Sequence, residues 1–206
     1  MKQDINITFI EDIVLSELIE SEEYYNKNIT NDINYDITIS NITFNSCKFV
    51  DFSFSNITLK NVSFLDCIFI NSDISNKDLS NISLTRVSFD KSRMVGISFH
   101  KSNLKNVYFK DSLLSYVDLS NTKLIDLSFT NCKMDEATFI NANLKNIKFD
   151  NVNLINSDFT NCYHDEIDFS NSNILNMRFD MKSLKNIVVS TYSALDIIES
   201  FGVKIK

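Results

Sequence analysis

The sequence predicts an all-β chain wound into a square, parallel β-solenoid that ends in a short α-helix and a terminal strand. Three observations carry this. Phenylalanine recurs every twenty residues at Phe49, Phe69, Phe89, Phe109, Phe129, Phe149 and Phe169. An apolar residue occupies every fifth position from Phe44 to Val189, with one break at His164. The chain has no Pro and only two Gly, so something other than the usual turn residues must bend it.

A period of five fits neither a helix of 3.6 residues per turn nor a flat strand of period 2, and so short a repeat implies a solenoid. With the central apolar residue as i, position i−2 is small or apolar, as at Cys47, Ile57, Val62, Val87, Ile97, Val107 and Ala137, while i−1, i+1 and i+2 are mostly polar. Two inward residues in five give a square coil of four five-residue units, which stacks residues twenty apart at a strand spacing of about 4.8 Å. Seven and a half such coils over residues 44–189 form a rod roughly 35 Å long. Asn fills most i+2 positions, among them Asn61, Asn71, Asn121, Asn131, Asn151 and Asn176, and Asn tolerates turn geometry, so it is expected to form the corners.

The termini follow other rules. Residues 1–28 are expected to form an acidic N-terminal cap and residues 29–189 the solenoid. Ile5, Ile7 and Phe9 alternate like a short strand, and residues 11–25, with five glutamates among apolar residues, suit a short amphipathic helix or an irregular cap. In residues 190–206, Ser190 can cap a helix through Ser200 with Leu195, Ile198 and Phe201 on one stripe. Gly202 stops it, and Val203 to Lys206 read as a strand.

The formal charge of −7 belongs to the N-terminal segment: residues 1–43 hold nine acids and two bases, whereas 44–189 hold sixteen of each. Along the repeats, 86–110 carry six bases against one acid and 111–180 eleven acids against five bases. The basic stretch can contact phosphates, but opposite charge elsewhere dilutes it, so no direct nucleic-acid binding is expected. No basic and apolar leader and no membrane-length apolar run is present, which reads as a cytoplasmic chain without a membrane partner.

Few residues suggest chemistry. Cys47, Cys67, Cys132 and Cys162 all lie at i−2, where small buried fillers belong, and no C-x-x-C spacing supports a metal. His164, beside Asp165 and Glu166, can be read as an acid/base group or as a tolerated core substitution, and His100 is expected to be solvated. Lys77 and Lys182 fall at the inward i−2 position, so the backbone should bulge or the ammonium should escape. Asp118 and Asp158 share one face two coils apart, about 10 Å, near the spacing of inverting glycosidases. With Thr138 between them and no cleft-forming loop, a smooth rod without a pocket and without enzymatic activity is the better reading. No nucleotide or metal motif is present, and no cofactor is expected.

The units at 120–124, Ala142-Asn143-Leu144-Lys145-Asn146 and Ser172-Asn173-Ile174 resemble the A-(D/N)-L-x-x consensus of pentapeptide repeat proteins. That resemblance, over about 70% of the chain, implies a right-handed quadrilateral β-helix. The tail, with Tyr192, Ala194, Glu199, Gly202 and Val203, is similar to the C-terminal dimerisation segment of the quinolone-resistance (Qnr) branch, with Phe201 in place of Leu. The resemblance implies a DNA-mimicking homodimer that binds a type II topoisomerase, DNA gyrase, and modulates it or protects it from quinolones. Dimer contacts then fall to Tyr192, Leu195, Ile198, Phe201, Val203 and Ile205. Candidate phosphate mimics are Asp111, Asp118, Asp126, Asp135, Glu136, Asp150, Asp158, Asp165, Glu166 and Asp168. Two departures stand against it: residues 44–189 carry no protruding loop, and the repeats are neutral in total. The alternative is a generic interaction scaffold for another protein.

Overall fold

The computed structural model describes residues 11–19 and 22–204. It is a right-handed quadrilateral β-helix, a parallel solenoid of about nine turns with one short C-terminal helix. Every strand pair from Glu23 onward keeps an offset of twenty residues, as in Phe49↔Phe69, Phe89↔Phe109 and Leu124↔Leu144.

The four faces differ in hydrogen bonding. The first face is centred on Leu84, Leu104, Leu124 and Leu144, and the second on Phe89, Phe109, Phe129 and Phe149. Single strands run through both, Ser83–Asp90, Asn103–Lys110, Lys123–Thr130 and Asn143–Asp150. The third face (Met94, Leu114, Met134, Leu154) and the fourth (Phe99, Leu119, Phe139, Phe159) are joined mainly by isolated bridges, such as Arg93↔Leu113 and Ser98↔Asp118. Inside, the phenylalanine column is one continuous stack, with ring centroids 4.6 Å apart at Phe49–Phe69 and 5.3 Å at Phe129–Phe149. Fully buried aromatics in such contact are the strongest single contributors to a core of this kind.

Most corners are where the sequence placed them, although Asn56 and Asn171 at i+2 are not at positive φ. Of twenty-six non-glycine residues at positive φ, sixteen are Asn and four Asp. Their side chains are short and tolerate the left-handed region, whereas other L-residues pay about 1–2 kcal/mol there. Polar i−2 residues are also satisfied: the buried hydroxyl of Ser72 accepts from Phe52 N, that of Ser92 from Ser72 N and that of Ser112 from Ser92 N.

The ends correct several expectations. Of the helix or irregular cap expected over 11–25, the described residues show no α-helix: Glu11–Val14 and Glu23–Tyr25 are strands, with a 3₁₀ turn at Leu15–Glu17 after the first. The strand Glu11–Val14 pairs with Lys27–Thr30 at an offset of sixteen, so this first coil is four residues short. Its neighbour Glu23–Tyr25 already pairs with Thr43–Asn45 in the regular register, ahead of residue 29. Ile13 and Val14 are β-branched and favour a strand, and Glu11–Val14 completes its backbone hydrogen bonds against Lys27–Thr30. The alternation at Ile5, Ile7 and Phe9 lies outside the described residues.

At the other end, Thr191–Ser200 is a helix, α1, with Ser190 Oγ accepting from Ser193 N and Gly202 at φ 83° just beyond it. Val203 and Lys204 make no strand, and Ile205 lies outside the described residues. Lys77 escapes to donate to Ser55 O at 2.9 Å, and Lys182 is exposed in a turn where its N–H donates to Asp180.

All four cysteines are buried, free thiols. Burial pushes Cys132 up to about 11 and Cys162 up to about 12 from an ordinary 9.0, and raises Cys47 and Cys67 as well. Unfolded thiols ionise near 9.0 while the folded ones keep their protons, so above that pH the unfolded chain binds fewer protons and stability falls as pH rises. Denaturant midpoints measured from pH 8 to about 11 should drop across this window, and Cys162→Ala should flatten the drop.

Candidate functional surface

The ten acids singled out from the sequence do not form one surface. Asp126, Asp165 and Glu166 lie on the first face or its corner, and Asp111, Asp150 and Asp168 on the second. Asp135 and Glu136 lie on the third, and Asp118 and Asp158 on the fourth. Residues adjacent in the chain sit on different sides of a prism, so an acidic stretch of sequence wraps around the rod.

Most of these carboxylates also hold the rod together. Asp111 accepts from Asn131 Nδ2 at 2.8 Å, Asp126 from Asn146 at 2.8 Å and Asp150 from Asn171 at 2.6 Å, each one coil further on. Asp118, Asp158 and Asp168 accept the backbone N–H two residues ahead, at 2.8, 2.9 and 2.8 Å, in the local bond that Asp and Asn favour. The hydroxyl of Ser170 is the main reason that Asp168 is held below the ordinary carboxylate range. Asp135 accepts from Ser115 Oγ at 2.7 Å. Asp158, only 7% exposed, also forms an ion pair with Arg178 at 2.8 Å. The Asp118 and Asp158 pair does share a bridge column with Thr138 between, but Asp158 is engaged on both oxygens. Asp165 and Glu166 are exposed on the last regular coil.

His164 is half-buried with Nε2 2.9 Å from Ser183 O, and its Nδ1 is buried without a hydrogen-bond partner among the described residues. It ties the penultimate coil to the last turn. His100 Nδ1 lies 3.8 Å from Asp118 and is half-buried. The rod is less smooth than expected: a shallow, open groove of about 380 Å³ runs along the third face past Asp111, Leu113, Lys133, Asn153 and Asn173. Among the described residues no group of three or more His, Cys, Asp or Glu is placed to hold a metal, and no helix is long and apolar enough to cross a membrane.

Two features were missed. The corner between the third and fourth faces reads Asn76, Gly96, Tyr116, Glu136 and Asn156, so three consecutive coils abandon Asn. At Gly96 the positive φ of 67° is easy for glycine, and an added Cβ would meet Asn76 Oδ1 at 2.6 Å. Tyr116 and Glu136 are strained there instead, at φ 62° and 57°, and Tyr116 is 54% exposed. The two are neighbours one coil apart, and the Glu136 carboxylate, through its charge and a side-chain hydrogen bond, holds the Tyr116 hydroxyl above the ordinary tyrosine range. The second feature is the tail. Ile197 of α1 packs on the rod, while Tyr192, Leu195, Ile198, Phe201 and Val203 are between 42% and 85% exposed.

Residues 82–159 match the family model described as pentapeptide repeat region. No curated protein matches the chain. Among solved structures, a trypsin-treated variant of QnrB1, a plasmid-mediated fluoroquinolone resistance protein, is similar at 18% identity over 91% of this chain and 99% of its own, with a TM-score of 0.37. HetL of Nostoc sp. strain PCC 7120, a pentapeptide repeat protein involved in heterocyst differentiation regulation, is similar at 15% identity, over 85% of this chain and 86% of its own, with a TM-score of 0.39. A pentapeptide repeat protein of the Arabidopsis thaliana thylakoid lumen is similar at 28% identity over 44% of this chain and 66% of its own, with a TM-score of 0.37. The architecture rests on the chain's own strand register, which extends well beyond the matched repeat region on both sides.

Replacing Tyr116 by Asn should relieve the corner and leave a gain in unfolding free energy of about 1 kcal/mol. Urea unfolding checks this, and a loss of stability would mean that the tyrosine is there for packing.

Proposed function

We propose that this chain is a non-enzymatic binding rod that pairs with a second copy through its C-terminal end and engages a type II topoisomerase, DNA gyrase, through the acids of its C-terminal half. The observation that carries the pairing is the tail: α1 turns a stripe of large apolar residues outward at the end of the solenoid, beside the exposed Met181 and Val188. Exposed apolar surface of this extent is costly in water and marks an interaction site. A two-fold pairing would cover the same stripe on both copies.

Support for the topoisomerase is narrower. Tail-to-tail pairing would bring Asp165, Glu166 and Asp168 of both copies toward the centre, concentrating negative charge where a DNA-binding protein would meet it. Tyr116 and Glu136, at their strained corner, would add an aromatic anchor and a charge to a protein interface. The same features serve a generic interaction scaffold for another protein partner, and the spread of acids over four faces favours that second reading.

Two measurements separate the parts. Light scattering should give twice the chain mass, falling to the chain mass for the Leu195→Asp, Phe201→Asp double variant; a single-chain mass for the unaltered protein would refute the pairing. In a gyrase supercoiling assay, micromolar protein should inhibit the reaction or protect it from a quinolone. Neither effect, in a protein that does pair, would sink the topoisomerase and leave the scaffold.

A further inference from the structure

Four of the six lysines of coils 102–161 lie together, apart from Lys110 and Lys133. Lys105, Lys123 and Lys145 lie on the first face and Lys148 just past its corner on the second, all exposed. Strand register relates them: Lys105↔Ile125↔Lys145 form one column, with Lys123 in the parallel column Asn103↔Lys123↔Asn143. At strand spacings Lys105 and Lys145 are about 10 Å apart, with Lys123 about 8 Å from each. No ion pair or hydrogen bond holds any of these four ammonium groups among the described residues, unlike Arg86, whose guanidinium makes two bonds to Asp66 at 2.5 and 2.8 Å. The nearby acids at the corners, Asp126 and Asp111, are tied to Asn146 and Asn131. The Asn143 column continues one coil on to Tyr163, which is 61% exposed.

We infer that this row is a binding track for single-stranded nucleic acid, with Lys105, Lys123, Lys145 and Lys148 on phosphates and Tyr163 as a stacking platform for a base. Unpaired lysines in line with an exposed aromatic are the two parts that such sites combine. The row is narrow and follows the rod axis, which suits a thread-like polyanion. Asp165, Glu166 and Asp168 lie just past Tyr163 and repel any polyanion, so the track ends at Tyr163; a planar bilayer would cover those acids as well, and a duplex offers Tyr163 no unstacked base. The track is independent of the topoisomerase reading, since it uses basic residues of the first two faces and neither the tail nor the Tyr116 corner. It departs from the expectation of no nucleic-acid contact, which came from adding charges along the chain.

Fluorescence anisotropy of a labelled twenty-nucleotide oligothymidylate with the full chain at low salt tests it. Binding should weaken with salt, at a logarithmic slope of about −2 to −3 for three to four phosphate contacts. The Lys105→Glu, Lys145→Glu double variant should weaken binding more than tenfold and make that slope shallower by about 1.4. Tyr163→Ala should cost about tenfold by itself, with an unchanged circular dichroism melt. Absence of binding at low salt, indifference to the lysine changes, tighter binding of a duplex, or binding only to phosphatidylserine vesicles would each overturn the proposal.

Discussion

A residue in the left-handed region at most fifth positions turns the chain through a quarter coil, and the remaining structure depends on that turn recurring. Because the turn is made by the backbone at i+2, positions i−2 and i point inward wherever the turn is regular, and residues twenty apart meet. The aromatic stack from Phe49 to Phe169 is a consequence of that constraint as much as a cause of stability. One extra residue in any coil would move a whole face out of register, because inward and outward positions would exchange. Asn fits the corner in two ways: it tolerates positive φ, and its amide can both donate and accept along the rod.

The asparagine corner ladders have a polarity. In each of these bonds the later coil donates to the earlier, as Asn151 to Asn131 and Asn131 to Asp111, or Asn146 to Asp126 and Asn71 to Asp51. Carboxylates accept and cannot donate, so an Asp can only begin a run, and Asp51, Asp66, Asp111 and Asp126 each do so. Counting these acids as free negative charge for a partner therefore overstates them. Their charge remains, but their oxygens are already committed to the next coil.

Architecture was legible in this sequence to an unusual degree because one period of five encodes core, corner and coil length together. Where that period fails, legibility fails with it. Residues 11–25 show no five-residue pattern, and their strands form by pairing with Lys27–Thr30 and Thr43–Asn45, which local propensity does not report. His164 is visible as an exception at a central position, but its partner Ser183 lies nineteen residues on, in a turn with no repeat of its own. The strained corner at Tyr116 was present in the letters all along, as a departure from Asn at i+2 in three successive coils.

Charge was the least legible property, for a geometric reason. Twenty consecutive residues circle the rod once, so a sum over 86–110 or 111–180 averages four faces that point in different directions. The surface of a solenoid has to be read in columns of period twenty, where Lys105 is a neighbour of Lys145 and where Asp118 is a neighbour of Asp158. In those columns the middle of the rod presents unpaired lysines on one side, while on the other Asp118, Asp135, Glu136 and Asp158 outnumber Lys133. A rod polarised across its width can hold two partners of opposite charge at the same height, and neither has to displace the other.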